Sequence, residues 1–213
     1  PADWDALRSI AKEHGLVLVA DGCHALGATD RDRSVGRLAD MTTFSFHPVK
    51  HITTCEGGMI VTEKSDWADS MRRFRNHGMT TDGRQREEGR GWQYDVPGPG
   101  YNYRLSDIQC ALGSSQLARL PGWLAHRRAA ASKYAESLED VSGINMLETR
   151  PDVQHAWHLL VVSVENSVHG MSRDTMFHEL RKLGIGANVH STPLTNLTRF
   201  SSFKGQCPVA EMM

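Results

Sequence analysis

Five consecutive apolar residues, Leu16-Val17-Leu18-Val19-Ala20, end on an acid, Asp21, and this run constrains the fold more than any other stretch. It does not alternate, so neither face is marked as the solvent side. A helix precedes it, with Asp3 as N-cap, Trp4, Leu7, Ile10 and Ala11 on one face, and Gly15 closing it. Helix, tight glycine turn and continuous apolar strand is the signature of a parallel sheet covered on both faces. The pattern therefore predicts an α/β chain, with Asp21 at the carboxyl edge of a strand, where open α/β sheets bind ligands. Met41 to Phe46 and Gly58 to Thr62 are expected as further strands.

The second of these strands leads into Phe44-Ser45-Phe46-His47-Pro48-Val49-Lys50, followed by Glu56-Gly57-Gly58. Lys50 stands just past the strand end, where the proline forces a turn. Two readings are open for it: a surface lysine in a loop, or an amine nucleophile whose neighbours lower its pKa. Ser45 and Lys50 belong at the same strand edge as Asp21, so polar groups distant in sequence are expected to share one crevice.

Composition removes several functional classes. Basic residues number 24 and acidic ones 25, and no basic stripe carries interleaved aromatics, so nucleic acid is not an expected partner. Arg127, Arg128 and Lys133 read as the solvated face of a helix. Mean hydropathy is -0.43, and no apolar run approaches the length needed to cross a bilayer. The first residues lack the order of a signal peptide, which makes the cytoplasm the default compartment. Cys23, Cys55, Cys110 and Cys207 are scattered without a CxxC pair, against both a disulfide framework and a structural zinc site. Asn196-Leu197-Thr198 matches a glycosylation sequon but lacks a secreted context. His47 and His51 straddle a proline turn with no carboxylate pattern to complete a site, so no metal is expected. Nucleophile-elbow, Walker, zinc-protease and dinucleotide motifs are all missing.

Farther along, Ser65 is expected to cap a helix through Trp67, Met71 and Phe74. The Gly- and charge-rich stretch from His77 to Gly100 lacks periodicity and reads as a loop for substrate or subunit contact. Ser106 and Gln109 form a capping box that opens a helix with Ile108, Ala111, Leu112 and Leu117 inward. A second, longer helix is expected after Pro121, carrying Leu124, Ala131, Tyr134 and Leu138. Beyond Gly143 a small α+β unit is expected: a strand over 156–164, a helix capped by Ser172, and a strand over 185–190. Residues 191–213 show no clear periodicity. The domains expected are thus 1–120, a connecting helix over 121–142, and 143–213.

Four motifs in order, Asp21-Gly22-Cys23-His24-Ala25, Ser45-Phe46-His47-Pro48-Val49-Lys50, Glu56-Gly57-Gly58 and Gly100-Tyr101-Asn102-Tyr103-Arg104, resemble the sugar aminotransferases of the DegT/DnrJ/EryC1/StrS family. The resemblance runs through essentially the whole chain. Phe74-Arg75-Asn76-His77-Gly78-Met79 and the stretch from Trp92 to Tyr103 look like the branch acting on UDP-linked 4-keto-6-deoxy sugars, as in pseudaminic acid biosynthesis. The resemblance implies the aspartate aminotransferase fold: a three-layer large domain with a mostly parallel sheet, partial here, then part of a small α+β domain. It implies pyridoxal 5'-phosphate as cofactor, an amino acid donor such as glutamate, and a nucleotide-activated keto sugar as acceptor.

Carried over by position, Lys50 matches the Schiff-base lysine and proton carrier, and Asp21 the acid that pairs with the pyridine nitrogen. His24 matches the residue near the ring's phenolate oxygen, and Ser45 a hydroxyl on the phosphate. Asn102 matches a loop residue reaching the phosphate across a subunit boundary, which implies a homodimer with shared active sites; either Asn102 or Arg104, two residues on, is the phosphate's neighbour. Taken singly, Asp21 also reads as a loop cap, Ser45 as a buried hydroxyl and Asn102 as a turn former. The family's sugar 3-dehydratases carry His where Lys50 stands, which argues against that activity. Ala20, Cys23 and Cys55 depart from the family pattern, and Cys55 replaces a usual glycine, so strain is expected in the turn after Lys50. The N-terminal portion that binds the cofactor phosphate and the portion completing the small domain have no counterpart in these residues. The chain is therefore expected to be a central fragment, with a non-catalytic remnant or interaction domain as the alternative.

Overall fold

The computed structural model describes residues 1–165, 168 and 170–212. They form two compact units, Pro1–Glu139 with Met146–Val161, and Asp140–Asn145 with Val162–Met213.

The first unit opens with helix α1, Trp4–Glu13, whose Ala6 N–H is capped by the Asp3 carboxylate at 3.2 Å. Strands β1 (Val19–Asp21), β4 (Met41–Ser45) and β5 (Gly58–Val61) form a sheet in the order β1-β4-β5. β1 and β4 are parallel, with Asp21 opposite Thr43. β5 returns antiparallel to β4, with Ser45 opposite Gly58. Among the described residues this part of the sheet thus has one parallel and one antiparallel pairing, because β5 is reached through the short irregular loop after Phe46 and not through a helical crossover.

β1 is also shorter than the apolar run predicts. The N–H of Leu16 donates back to Ala11 at the end of α1, and that of Leu18 to the Asp40 carboxylate at 2.9 Å, so β1 starts only at Val19, although the Leu18 carbonyl still accepts the Met41 N–H at 3.2 Å. Ala20 is 1% exposed, whereas Val19 is 58% exposed, since β1 is an edge strand among the described residues. Burial on both faces is thus not realised there.

Two short strands, β2 (Thr29–Asp30) and β3 (Arg33–Ser34), form a second sheet with β7 (Val153–Gln154), 120 residues later in sequence. β7 pairs antiparallel with β2, Asp30 facing Val153. The buried Asp30 carboxylate is ion-paired with Arg150 and lies 3.9 Å from Arg33. These contacts bring 146–161 back onto the first unit.

Helix α2, Ser65–Phe74, begins at Ser65 with Lys64 as its cap. The stretch expected as a functional loop folds back on itself: Thr80 and Asp95 exchange hydrogen bonds of 2.9 and 3.0 Å around a helical turn α3, Gly83–Gln85, and a π turn, Arg86–Arg90. At its base Gly78 has φ +75, and a Cβ on Gly100 would lie 2.0 Å from the Gly78 nitrogen, so both crossing strands of backbone require glycine.

Helix α4 runs unbroken from Asp107 to Leu138, where two helices divided at Pro121 are expected. A proline removes the bond to the carbonyl four residues earlier. That residue, Leu117, is 52% exposed, so water can satisfy the carbonyl and the helix continues. The core gathers Ala28, Val35, Leu38, Phe46, Ile52, Leu120, Leu124 and Ala156 between the sheet and α4.

In the second unit β6 (Ile144–Met146) pairs with β8 (Val162–Val164). The helix Arg173–Lys182 is capped by Ser172, as its sequence predicts. The strand expected over 156–164 is confined to its last three residues, and 185–190 forms none, because Ala187 N–H turns back to Ile185 and its carbonyl accepts from Arg181. Residues 191–213 hold short helical turns at Leu194–Asn196 and Thr198–Phe203, and a helix Pro208–Met212. Among the described residues no helix is long and apolar enough to cross a membrane.

Leu38 is fully buried in the core. Leu38→Ala is expected to lower unfolding free energy by about 2–5 kcal/mol, read as a fall in the urea midpoint at unchanged slope.

Candidate active site

Because β1 and β4 are parallel, their carboxyl ends share one edge, and Asp21, His24, Ser45 and Lys50 all follow from that edge. Gly22 continues the pairing by donating to Thr43 at 2.9 Å. A Cβ there would lie 2.8 Å from the Thr42 methyl and 2.9 Å from the Phe44 ring, so only glycine lets the chain leave β1 this closely.

The Asp21 carboxylate is held below the usual carboxylate range, first by the Cys23 thiol and then by the Cys23 backbone N–H, which donates at 3.0 Å. His24 and Lys50 add electrostatic support, which places both near this carboxylate. Burial and the same carboxylate push the Cys23 thiol up, so it stays protonated and remains a donor. Cys23, noticed in the sequence only as a departure from the family pattern, thus lowers the Asp21 pKa further.

Lys50 closes a turn of His47 to Lys50, its N–H donating to the His47 carbonyl at 2.9 Å around Pro48. The loop beyond it is clamped on both sides. The Phe46 carbonyl accepts from Thr53 Oγ1 and Thr54 N–H, at 2.9 and 3.0 Å. From α4, Gln116 accepts the Thr53 N–H at 2.9 Å, and Gln109 donates to the carbonyls of Thr54 and Glu56 at 3.3 and 3.0 Å. Gln109 therefore does more than the capping box in which it was read: one amide caps α4 and holds the lysine loop. Cys55 has φ +67, the left-handed strain expected where the family carries glycine.

Ser45 Oγ accepts the His47 N–H at 3.3 Å and keeps its own proton to donate. Asn102 and Arg104 form a separate group beside the end of α2: Arg104 donates to Asn102 at 3.2 Å and to Asn76 at 3.0 Å. Around them Phe74, Tyr101 and Tyr103 form an exposed aromatic cluster, the two tyrosines stacked at 5.0 Å.

The chain places a further group at the strand edge that the motifs did not flag. Residues 155–158 turn beside α4, with Arg127 donating to the Trp157 carbonyl at 3.1 Å and Arg128 to that of His155 at 3.3 Å. These arginines are anchors, not the solvated face their spacing suggests; the accepting carbonyls lie some thirty residues away and leave no local pattern. The turn sets His158 against His24 and His51. Burial depresses His51 and His158 to about 4 each, and nearby cationic groups add to the effect.

Two clefts of about 590 and 540 Å3 are lined by Thr29, Arg31 and Asp152, and by Leu26, Phe44 and Glu63, respectively; neither includes Asp21, His24, Ser45 or Lys50. Asp21 and His24 are exposed, so the site is an open edge in a single chain. Among the described residues no cluster could hold a metal ion. The donor set fits a phosphorylated pyridine aldehyde: an ionised carboxylate for a ring N–H, a lysine amine, a free-rotating hydroxyl donor and an imidazole grouped on one sheet edge.

The chain matches the description DegT/DnrJ/EryC1/StrS aminotransferase family across residues 1–213. It belongs to that family. It is 36% identical over 194 residues to the spore coat polysaccharide biosynthesis protein SpsC of Bacillus subtilis, covering 90% of this chain and 50% of SpsC. Helicobacter pylori PseC, an aminotransferase involved in the biosynthesis of pseudoaminic acid, superposes with a TM-score of 0.86 at 29% identity, over 99% of this chain and 55% of PseC. DesI, solved in the presence of its TDP-sugar product, gives a TM-score of 0.80 at 28% identity, over 94% and 48%. The chain thus spans about half the length of these relatives, and its fold is that of the fold type I pyridoxal phosphate aminotransferases.

His51 is 5% exposed and its folded pKa lies below its unfolded value. The unfolded chain then binds more protons between the two values, so this contribution is complete above pH 6.5 and is lost as pH falls toward 4. It amounts to roughly 3 kcal/mol. Urea midpoints measured from pH 7.5 to 4.5 should fall, and the fall should flatten in His51→Phe.

Proposed function

We propose that this chain carries the catalytic centre of a pyridoxal phosphate-dependent aminotransferase that moves an amino group from an amino acid, with glutamate the expected donor, onto a keto group of a nucleotide-linked deoxysugar. The observation that carries the reading is the grouping of a carboxylate held ionised, Asp21, with His24 and Lys50 at the carboxyl edge of the parallel pair. Family membership and the sugar-related relatives support the substrate class.

When bound, pyridoxal phosphate supplies an aldehyde that condenses with amines and a ring that accepts the electrons released at the donor's α-carbon. The side chains do the rest. Lys50 Nζ is the amine that would hold the aldehyde, and once free it would take the donor's α-proton and deliver it to the aldehyde carbon, two bonds away. Asp21 would face the ring N–H and so preserve the ring's electron demand. Ser45 Oγ would donate to the phosphate, and the His24 imidazole would orient the ring from the phenolate side. Asn102 or Arg104 serves the phosphate of a second copy, making the functional unit a homodimer with shared sites. The open edge around Asp21 and His24 in one chain supports that arrangement.

Borohydride reduction of the chain loaded with pyridoxal phosphate, followed by peptide mass spectrometry, should place the label on Lys50. Lys50→Ala should carry no label and lose at least about 10²-fold in transamination. Undiminished labelling of Lys50→Ala would falsify the assignment, and a chain that takes up no cofactor would favour the non-catalytic alternative.

A further inference from the structure

Three imidazoles form a short column behind the strand edge. The His24 and His158 ring centroids are 4.3 Å apart at 55°, and those of His51 and His158 are 5.2 Å apart at 46°. His51 Nε2 meets the Ala156 carbonyl at 3.2 Å, while Nδ1 of both His51 and His158 is buried without a hydrogen-bond partner. A buried unpartnered nitrogen costs about 1–3 kcal/mol, so the Nδ1 atoms of His51 and His158 do not account for the placing of their rings.

The turn delivering His158 is fixed from several sides. Arg127 reaches the carbonyls of Trp157 and His158 at 3.1 and 3.4 Å, Arg128 that of His155, and the Trp157 N–H donates to His155 Nδ1 at 2.8 Å. Ala156 is 1% exposed in the core, and Trp157 adopts φ +47. A bulky residue held in the left-handed region costs on the order of 1–3 kcal/mol and persists only where its surroundings impose it. Two helix arginines, a core alanine and a strained tryptophan thus converge on the placing of one ring.

We propose that His158 is a positioning residue for the candidate site: backed by His51 and the arginine-pinned turn, its ring fixes the plane in which His24 meets a bound cofactor ring. The inference rests on the reading that pyridoxal phosphate seats against His24. Lys50 and Arg127 are the cationic groups near the column, with His155 beside it, and burial together with these neighbours leaves His51 and His158 uncharged at neutral pH. Uncharged rings pack tilted against one another without charge repulsion, and such a contact is worth up to roughly tenfold in a binding constant.

The test uses the 213-residue chain and three variants, His158→Ala, His158→Leu and His158→Phe. Proton NMR of the cofactor-free protein, with His24 assigned through His24→Gln, reads the ring-current shift that His158 imposes on His24. Titration with pyridoxal phosphate reads affinity and the position of the visible band. His158→Ala is expected to lose the ring-current shift, move the band and weaken affinity roughly tenfold. His158→Phe is expected to keep all three near wild type, and His158→Leu replaces His158→Ala if the latter does not fold. A folded His158→Ala or His158→Leu with unchanged affinity and band overturns the proposal, whatever happens to the shift. If the wild-type chain takes up no pyridoxal phosphate, the proposed function fails, while the NMR arm still decides whether His158 holds His24: an unmoved His24 overturns that placement by itself.

Discussion

The parallel pairing of β1 with β4 is the constraint on which the site depends. Parallel strands end on the same side, so residues beyond Asp21 and beyond Ser45 emerge together although they are separated by more than twenty positions. An antiparallel pairing of the same strands would send them to opposite ends of the sheet. Gly22 and the turn around Pro48 then decide how far each side chain stands from that edge.

The lysine loop and the His155–His158 turn are both irregular backbone, and both are tied to α4. Gln109 and Gln116 hold the first; Arg127 and Arg128 hold the second. A single helix of 32 residues acts as a common reference for two segments about a hundred residues apart in sequence. Its continuation through Pro121 therefore matters to the site, since a break there would separate the glutamine half from the arginine half.

Much of this was legible from residue order alone. Asp21, His24, Ser45 and Lys50 sit in short motifs whose local turns bring them to a strand edge, and local turns are what sequence pattern encodes. The capping box at Ser106 and the caps at Asp3 and Ser172 were equally readable, because each bond spans three residues. The column of histidines was not, nor was the anchoring by Arg127 and Arg128, because their partners are carbonyls, identical at every position and therefore silent in sequence. The run Leu16 to Ala20 overstated the length of β1 for a related reason: apolarity reports what a strand can bury, whereas the Leu18 N–H goes to Asp40 and only its carbonyl still meets β4.

The excursion from Thr80 to Asp95 closes on itself, and its feet are fixed where Gly78 passes Gly98 and Gly100 at near-contact distance. Whatever lies between those feet is mechanically insulated from Tyr101 to Arg104, which pair instead with the end of α2. The hydrogen bonds that hold Asn102 and its neighbours therefore lie outside the excursion, so a change in its length or charge leaves them untouched.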